Sequence, residues 1–217
     1  MPSKFVIRSL QENAAYHVFN RGVEKKDVFV DDQDRRVFLF YLNIYTGNLD
    51  QVTARYSDLP ARLKDKNLGD SLDLLAYCLM PNHFHLVIFQ KEADAMPRLL
   101  KQVTNGYTAY FNQKHNRVGS LFAGRYRAVT IGDDDLLAHV VRYVHLNPVV
   151  AGLSGKPGEW GWCSYKNYMG ENGGINCETH RVGDRFASSE DFAKYHADQA
   201  EYARELERIK HLIIDLS

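Results

Sequence analysis

A chain of 217 residues with 45% hydrophobic and 12% aromatic side chains carries enough apolar material for a buried core, which excludes a disordered chain. Its 27 basic and 27 acidic residues cancel to a formal net charge of zero, and by itself that balance argues mildly against nucleic acid as the partner. Cys78, Cys163 and Cys177 stand at no metal-like spacing, and their odd number suits reduced thiols. Residues 1–10 hold Lys4 and Arg8 but no apolar run of signal-peptide length. No stretch approaches the roughly 20 apolar residues that span a bilayer. The expectation is a soluble, cytoplasmic protein.

In chain order, residues 14–20 (AAYHVFN) read as a strand closed by Arg21-Gly22. Residues 31–45 open with acids and then carry Val37, Phe38, Phe40, Tyr41 and Ile44 at near-helical spacing, which predicts a helix. Residues 46–71 are polar and mixed and read as a linker or an inserted helical segment. Two strand-like runs at 71–80 and 83–90, joined by Pro81-Asn82, predict a hairpin. Residues 93–114 have a helical pattern, and 119–131 (GSLFAGRYRAVTI) read as a Gly-punctuated strand. Asp133, Asp134 and Asp135 then cap a helix that runs to about Asn147, where Pro148 ends it.

Strand, helix, strand, strand, helix, strand, helix predicts an α+β fold with helices packed on one face of an antiparallel sheet. Past Gly152 the texture changes: 157–168 are loop-like and aromatic, 171–183 polar, and 189–213 read as a terminal helix. The expected organisation is a catalytic domain at 1–155, with the insert at 46–71, and a C-terminal extension at 156–217.

Three groups of residues can carry chemistry. His83 and His85 lie two apart on a predicted strand, so both imidazoles project from one face with Phe84 on the other. That spacing suits two ligands of one divalent ion, although a bare pair of this kind is more often two ordinary histidines. His139, Tyr143 and Asn147 are spaced by four, which stacks them on one helical face beside an apolar stripe of Leu136, Val140 and Val144. Finally, no acidic residue occurs from Met96 to Ile131, while Arg98, Lys101, Lys114, Arg117, Arg125 and Arg127 supply positive charge. Tyr126 and other aromatics are interleaved among them, a combination that suits single-stranded nucleic acid. Residues 188–217 hold seven acids against four basics, which offsets this patch in the total.

The strings CLMPNHFHLVIF, GSLFAGRYRAVTI and RYVHLNPVVAGL, in this order and spacing, resemble the single-tyrosine HUH transposases, and within them the REP-associated tyrosine transposases, relatives of insertion-sequence transposases. The similarity runs from about Ala14 to Leu153. It implies a ferredoxin-like (RRM-like) core, and His83 and His85 as ligands of Mg²⁺ or Mn²⁺. It implies Tyr143 as nucleophile and Asn147 at the place of a polar third ligand, where insertion-sequence members carry glutamine. His139 matches no motif residue; from its place on the helix it is expected to orient or deprotonate the Tyr143 hydroxyl.

The activity implied is cleavage and rejoining of single-stranded, hairpin-containing DNA through a 5′-phosphotyrosine. A non-catalytic single-stranded nucleic-acid-binding module and a metal-dependent hydrolase are the competing readings. A homodimer that delivers Tyr143 in trans and a monomer that acts in cis are both compatible with the sequence.

Overall fold

The structure, a computed structural model, describes residues 10–171 and 174–198. Four strands form one antiparallel sheet: β1 (Ala14–Arg21), β2 (Leu72–Met80), β3 (His83–Gln90) and β4 (Arg127–Ile131), in the order β2-β3-β1-β4. Three helices pack on it: α1 (Asp32–Thr46), α4 (Ala95–Lys114) and α5 (Asp134–Val150). The predicted insert holds two short helices, α2 (Leu49–Arg55) and α3 (Ala61–Lys64). The first six main elements follow the strand-helix-strand-strand-helix-strand order of a ferredoxin-like core, and α5 is added to it.

Side-chain alternation divides the sheet into two buried faces. Tyr16, Val18, Leu86 and Ile88 pack with Phe38 and Leu42 of α1 and Leu99, Val103 and Tyr107 of α4. Ala76, Cys78 and Val87 point the other way and meet Leu137, Val141 and Val144 of α5. The expectation of helices on one face therefore holds for α1 and α4 but not for α5. The physical reason is legible in β2 and β3, whose near-continuous apolar runs need cover on both sides.

Two boundaries also move. Of the strand predicted at 119–131, only Arg127–Ile131 is a strand, with Phe122 in an isolated bridge to Gly22, because Gly119 and Gly124 adopt φ of 88° and 85° and turn the chain. Pro148 lies inside α5 instead of ending it: the helix runs on to Val150, and the Ala151 amide donates to the Asn147 carbonyl. A proline costs its own amide donor, but so near a helix end the remaining bonds suffice.

The chain then returns to β2. The Leu79 amide donates to Trp162 and the Ser164 amide to Tyr77, so the 160–164 segment covers an otherwise open sheet edge. Beyond it come α6 (Tyr165–Tyr168), α7 (His180–Gly183) and α8 (Ser189–Ala197), with Tyr165, Tyr168 and Phe192 joining the core beneath α5. The predicted terminal helix is described as α8, and residues 199–213 of that prediction lie outside the described residues. Among the described residues, no helix is long and apolar enough to cross a membrane.

A buried carboxylate fastens α1 to α4. Asp34 completes a capping box with Asp31 at the start of α1 and accepts from the Val30 amide at 2.9 Å. Lys114, at the end of α4, reaches Asp31 at 2.7 Å and Asp34 at 2.8 Å, and His115 lies 3.1 Å from Asp34. Burial pushes the Asp34 pKa up, but Lys114, the Val30 amide and His115 together hold it below the usual carboxylate range. Lys114→Met is expected to cost about 2 kcal/mol in urea unfolding at neutral pH, between the values for surface and buried pairs. A lowered carboxylate pKa stabilises the fold above the unfolded pKa, and that contribution is lost as pH falls through the folded one. The gap between wild type and variant should therefore narrow in acid; an unchanged gap would contradict an ion-pair origin.

Candidate functional site

The site is built on the face of the sheet that α5 covers. The Asp133 side chain accepts from the Leu136 amide at 2.7 Å, and Asp134 and Asp135 follow in the first turn, so charge and cap both favour helix initiation there. Burial of Leu137, Val141 and Val144 fixes the rotation of α5. That rotation brings the Tyr143 ring edge-on to His17, at 5.8 Å and 80°, and to His85, at 5.7 Å and 85°.

The strands supply three imidazoles. His83 and His85 share a face, as their spacing predicts, with ring centroids 4.9 Å apart at 85°, while Phe84 is buried on the other side against Phe38 and Phe122. His83 Nδ1 lies 2.7 Å from Asn82 Oδ1. Burial, aided by the nearby Arg21 charge, lowers the His83 pKa to about 4, so its imidazole is neutral near pH 7, the form that binds metals. His17 was not singled out in the sequence. Its Nε2 lies 2.9 Å from His85 Nδ1, and the two rings lie edge to edge, centroids 5.1 Å apart with 16° between their planes. A strand reading gives His17 the face opposite Tyr16 and Val18, but only the β1–β3 pairing, Phe19 opposite His85, shows which histidine it meets.

The stripe on α5 divides. Tyr143 joins the histidines, whereas His139 Nδ1 turns to Arg142 at 2.8 Å and to the Tyr195 hydroxyl at 3.1 Å, on the side of α8. Those partners set His139 the task of docking α8, in place of the expected role at the Tyr143 hydroxyl. Asn147 donates through Nδ2 to the Tyr143 carbonyl at 2.8 Å, which directs its amide along the helix.

Two imidazoles are the donor set that the strand face offers to a divalent ion. Among the described residues, no group of three His, Cys, Asp or Glu side chains is arranged to hold one. The set fits an ion that takes two protein nitrogens and fills its remaining positions with oxygen ligands. His83 and His85 each direct Nδ1 at a protein partner, so each would bind through Nε2.

On the opposite face, an open groove of about 740 Å³ runs between α4 and residues 120–126, lined by Lys101, Thr104, Asn105, Ser120, Arg125 and Tyr126 among others. Arg98, Lys101 and Arg125 are exposed, and the Arg125 guanidinium lies over the Tyr126 ring at 5.4 Å. Arg127, also exposed, pairs with Phe19 of β1 and so stands on the histidine face. Arg117 covers Phe111 and reaches Asn112 at 3.3 Å. Lys114 leaves the expected basic set, because two carboxylates already neutralise it. Asn20 donates to the Gly124 carbonyl at 3.2 Å, so β1 supports the groove on one face and carries His17 on the other.

The sequence profile of the family described as transposase IS200 like matches residues 11–147. No curated protein matches the chain. Among solved structures, the chain is similar to a REP-associated tyrosine transposase bound to a REP hairpin, with a TM-score of 0.51 and 13% identity over 73% of this chain and 81% of that one. A second, a proposed transposase from Deinococcus radiodurans, has a TM-score of 0.35 and 15% identity over 66% of this chain and 95% of that one, and carries no weight for the fold. The profile spans well over half of the chain, including β1, the His83/His85 pair and Tyr143, and the chain belongs to the IS200-like transposase family.

Proposed function

We propose that this transposase cleaves and rejoins single-stranded DNA with Tyr143 as the nucleophile, and that His83 and His85 hold the divalent ion the reaction uses. The observation that carries this reading is the edge-on approach of the Tyr143 ring to His85 and His17 within the family-matched region. Attack of the Tyr143 oxygen on a backbone phosphate forms a 5′-phosphotyrosine and breaks the bond to the 3′ oxygen, which leaves as a hydroxyl after taking up a proton. The reverse step, by a 3′-hydroxyl of another strand, restores the phosphodiester and frees the tyrosine. The linkage conserves the bond energy, so joining requires no nucleotide cofactor.

A tyrosine hydroxyl with a pKa near 10 is a weak nucleophile at neutral pH. A bound Mg²⁺ or Mn²⁺ supplies Lewis-acid polarisation of the scissile phosphate. His83, neutral near pH 7, and His85 would hold it, and Asn147 would contribute its amide oxygen once the side chain turns from the Tyr143 carbonyl. Since Tyr143 meets the histidines of its own chain, a monomer acting in cis is the economical arrangement. A homodimer would first have to displace α5.

The exposed Arg98, Lys101, Arg125 and Arg127, with Arg117 nearby and Tyr126 as a stacking surface, are proposed to hold the DNA. Similarity of fold to a protein bound to a REP hairpin supports a hairpin-containing substrate of the same class.

Two experiments test these roles. Labelled single-stranded hairpin DNA is incubated with the protein and Mn²⁺ and resolved on a denaturing gel. The wild type is expected to yield a covalent adduct that a chelator prevents, and Tyr143→Phe to yield none while its DNA affinity stays within a few-fold. Adducts retained by Tyr143→Phe would move the nucleophile elsewhere; binding without any adduct would favour a non-catalytic module. For the groove, Lys101→Ala combined with Arg125→Ala should reduce the slope of log K against log salt by roughly 1.4, two contacts at about 0.7 each for a single strand. An unchanged slope would remove these residues from the interface.

A further inference from the structure

The 2.9 Å approach of His17 Nε2 to His85 Nδ1 allows only one proton between two nitrogens, and its location decides what His85 can do. With the proton on His85 Nδ1, His85 donates, His17 Nε2 accepts, and the lone pair of His85 sits on Nε2. With the proton on His17 Nε2, His85 accepts through Nδ1, carries its own hydrogen on Nε2, and cannot bind a metal there. The tautomer of His17 and the ligating capacity of His85 are thus one choice.

We infer that His17 is a positioning residue: it accepts the Nδ1 proton of His85, fixes its ring plane, and so presents His85 Nε2 beside Tyr143. The inference rests on His85 being a metal ligand. Three further observations agree with it. Register places His17 diagonally from His85 on the same sheet face, with Phe19 directly opposite His85, so both strands hold the pair without help from a loop. The ring planes are 16° apart with centroids at 5.1 Å, so the rings lie edge to edge and nearly coplanar, the alignment that an in-plane hydrogen bond between them requires. Tyr143 then stands edge-on to both rings, so the pair that fixes the ligand also forms the wall against which the nucleophile rests. Groups that orient a metal-bound histidine through its second nitrogen commonly set metal affinity as well. Here that group is a second histidine, where a carboxylate or a carbonyl is the usual choice.

The test separates hydrogen bonding from packing. His17→Phe keeps a ring of similar size but offers no acceptor, and His17→Gln offers a carbonyl oxygen at similar reach. Long-range ¹⁵N–¹H spectra of the metal-free protein report the histidine tautomers. His85 is expected as the Nδ1–H form in the wild type and in His17→Gln, and as a mixture in His17→Phe. Mn²⁺ binding to the protein alone, followed by the resonance of free Mn²⁺, should weaken about 10- to 100-fold in His17→Phe. His17→Gln should recover most of that loss. A wild-type His85 in the Nε2–H form overturns the inference without any variant, and so does undiminished Mn²⁺ affinity in a folded His17→Phe. A wild type that binds no Mn²⁺ refutes the metal reading itself, which is a distinct result.

Discussion

The pairing of β1 with β3 is the constraint on which the rest of the site depends. Eight residue pairs, from Ala14 opposite Gln90 to Arg21 opposite His83, hold these central strands together. Because side chains alternate, a slip of one residue would exchange the faces of an entire strand. Phe84, Leu86 and Ile88 would face α5, and His83 and His85 would enter the apolar core beside Phe38 and Tyr107. The cost of burying two imidazoles there, together with the loss of a close-packed aromatic cluster, specifies the register strongly. Core packing and the geometry of the histidine–tyrosine cluster are therefore decided by the same alternation, and neither can drift without the other.

That coupling explains what could be read from the sequence. The hairpin around Pro81-Asn82, the capped start of α5 and the helix at 31–45 announce themselves through local spacing and caps, so they are legible one element at a time. The common face of His83 and His85 follows from period two alone. His17 is different: a lone histidine in AAYHVFN carries no local signal, and its meaning comes from a strand more than sixty positions away in the chain. The same holds for Lys114, whose charge suits nucleic acid until Asp31 and Asp34 are folded against it. His139 and Tyr143 share a helix face in a sequence reading, yet the extension after Gly152 captures His139 and leaves Tyr143 to the sheet.

The extension has its own internal order. His196 Nδ1 donates to the Phe192 carbonyl at 2.9 Å, so its Nε2 accepts from His145 Nδ1 at 3.2 Å, and His145 Nε2 in turn accepts from the Ser164 hydroxyl at 3.0 Å. Burial lowers the pKa of both histidines, His196 to about 4, which keeps this chain of bonds neutral. Outside it, the Arg142 guanidinium lies 3.9 Å from the centre of the Tyr195 ring. Together these contacts fasten α8 to the helix that bears Tyr143, and they make the aim of the tyrosine a property of the extension as well as of the sheet.

The groove beside Tyr126 and the cluster around Tyr143 lie on opposite faces of one sheet, with β4 at the edge between them. On the proposed reading, a DNA chain that occupies both must turn sharply around that edge. Duplex DNA, with a persistence length of about 50 nm, resists such a turn, whereas an unpaired strand makes it readily. The architecture would then sort its substrates by bending stiffness before any base is read, and the placement of two sites on two sides of a thin sheet would itself act as the filter for strandedness.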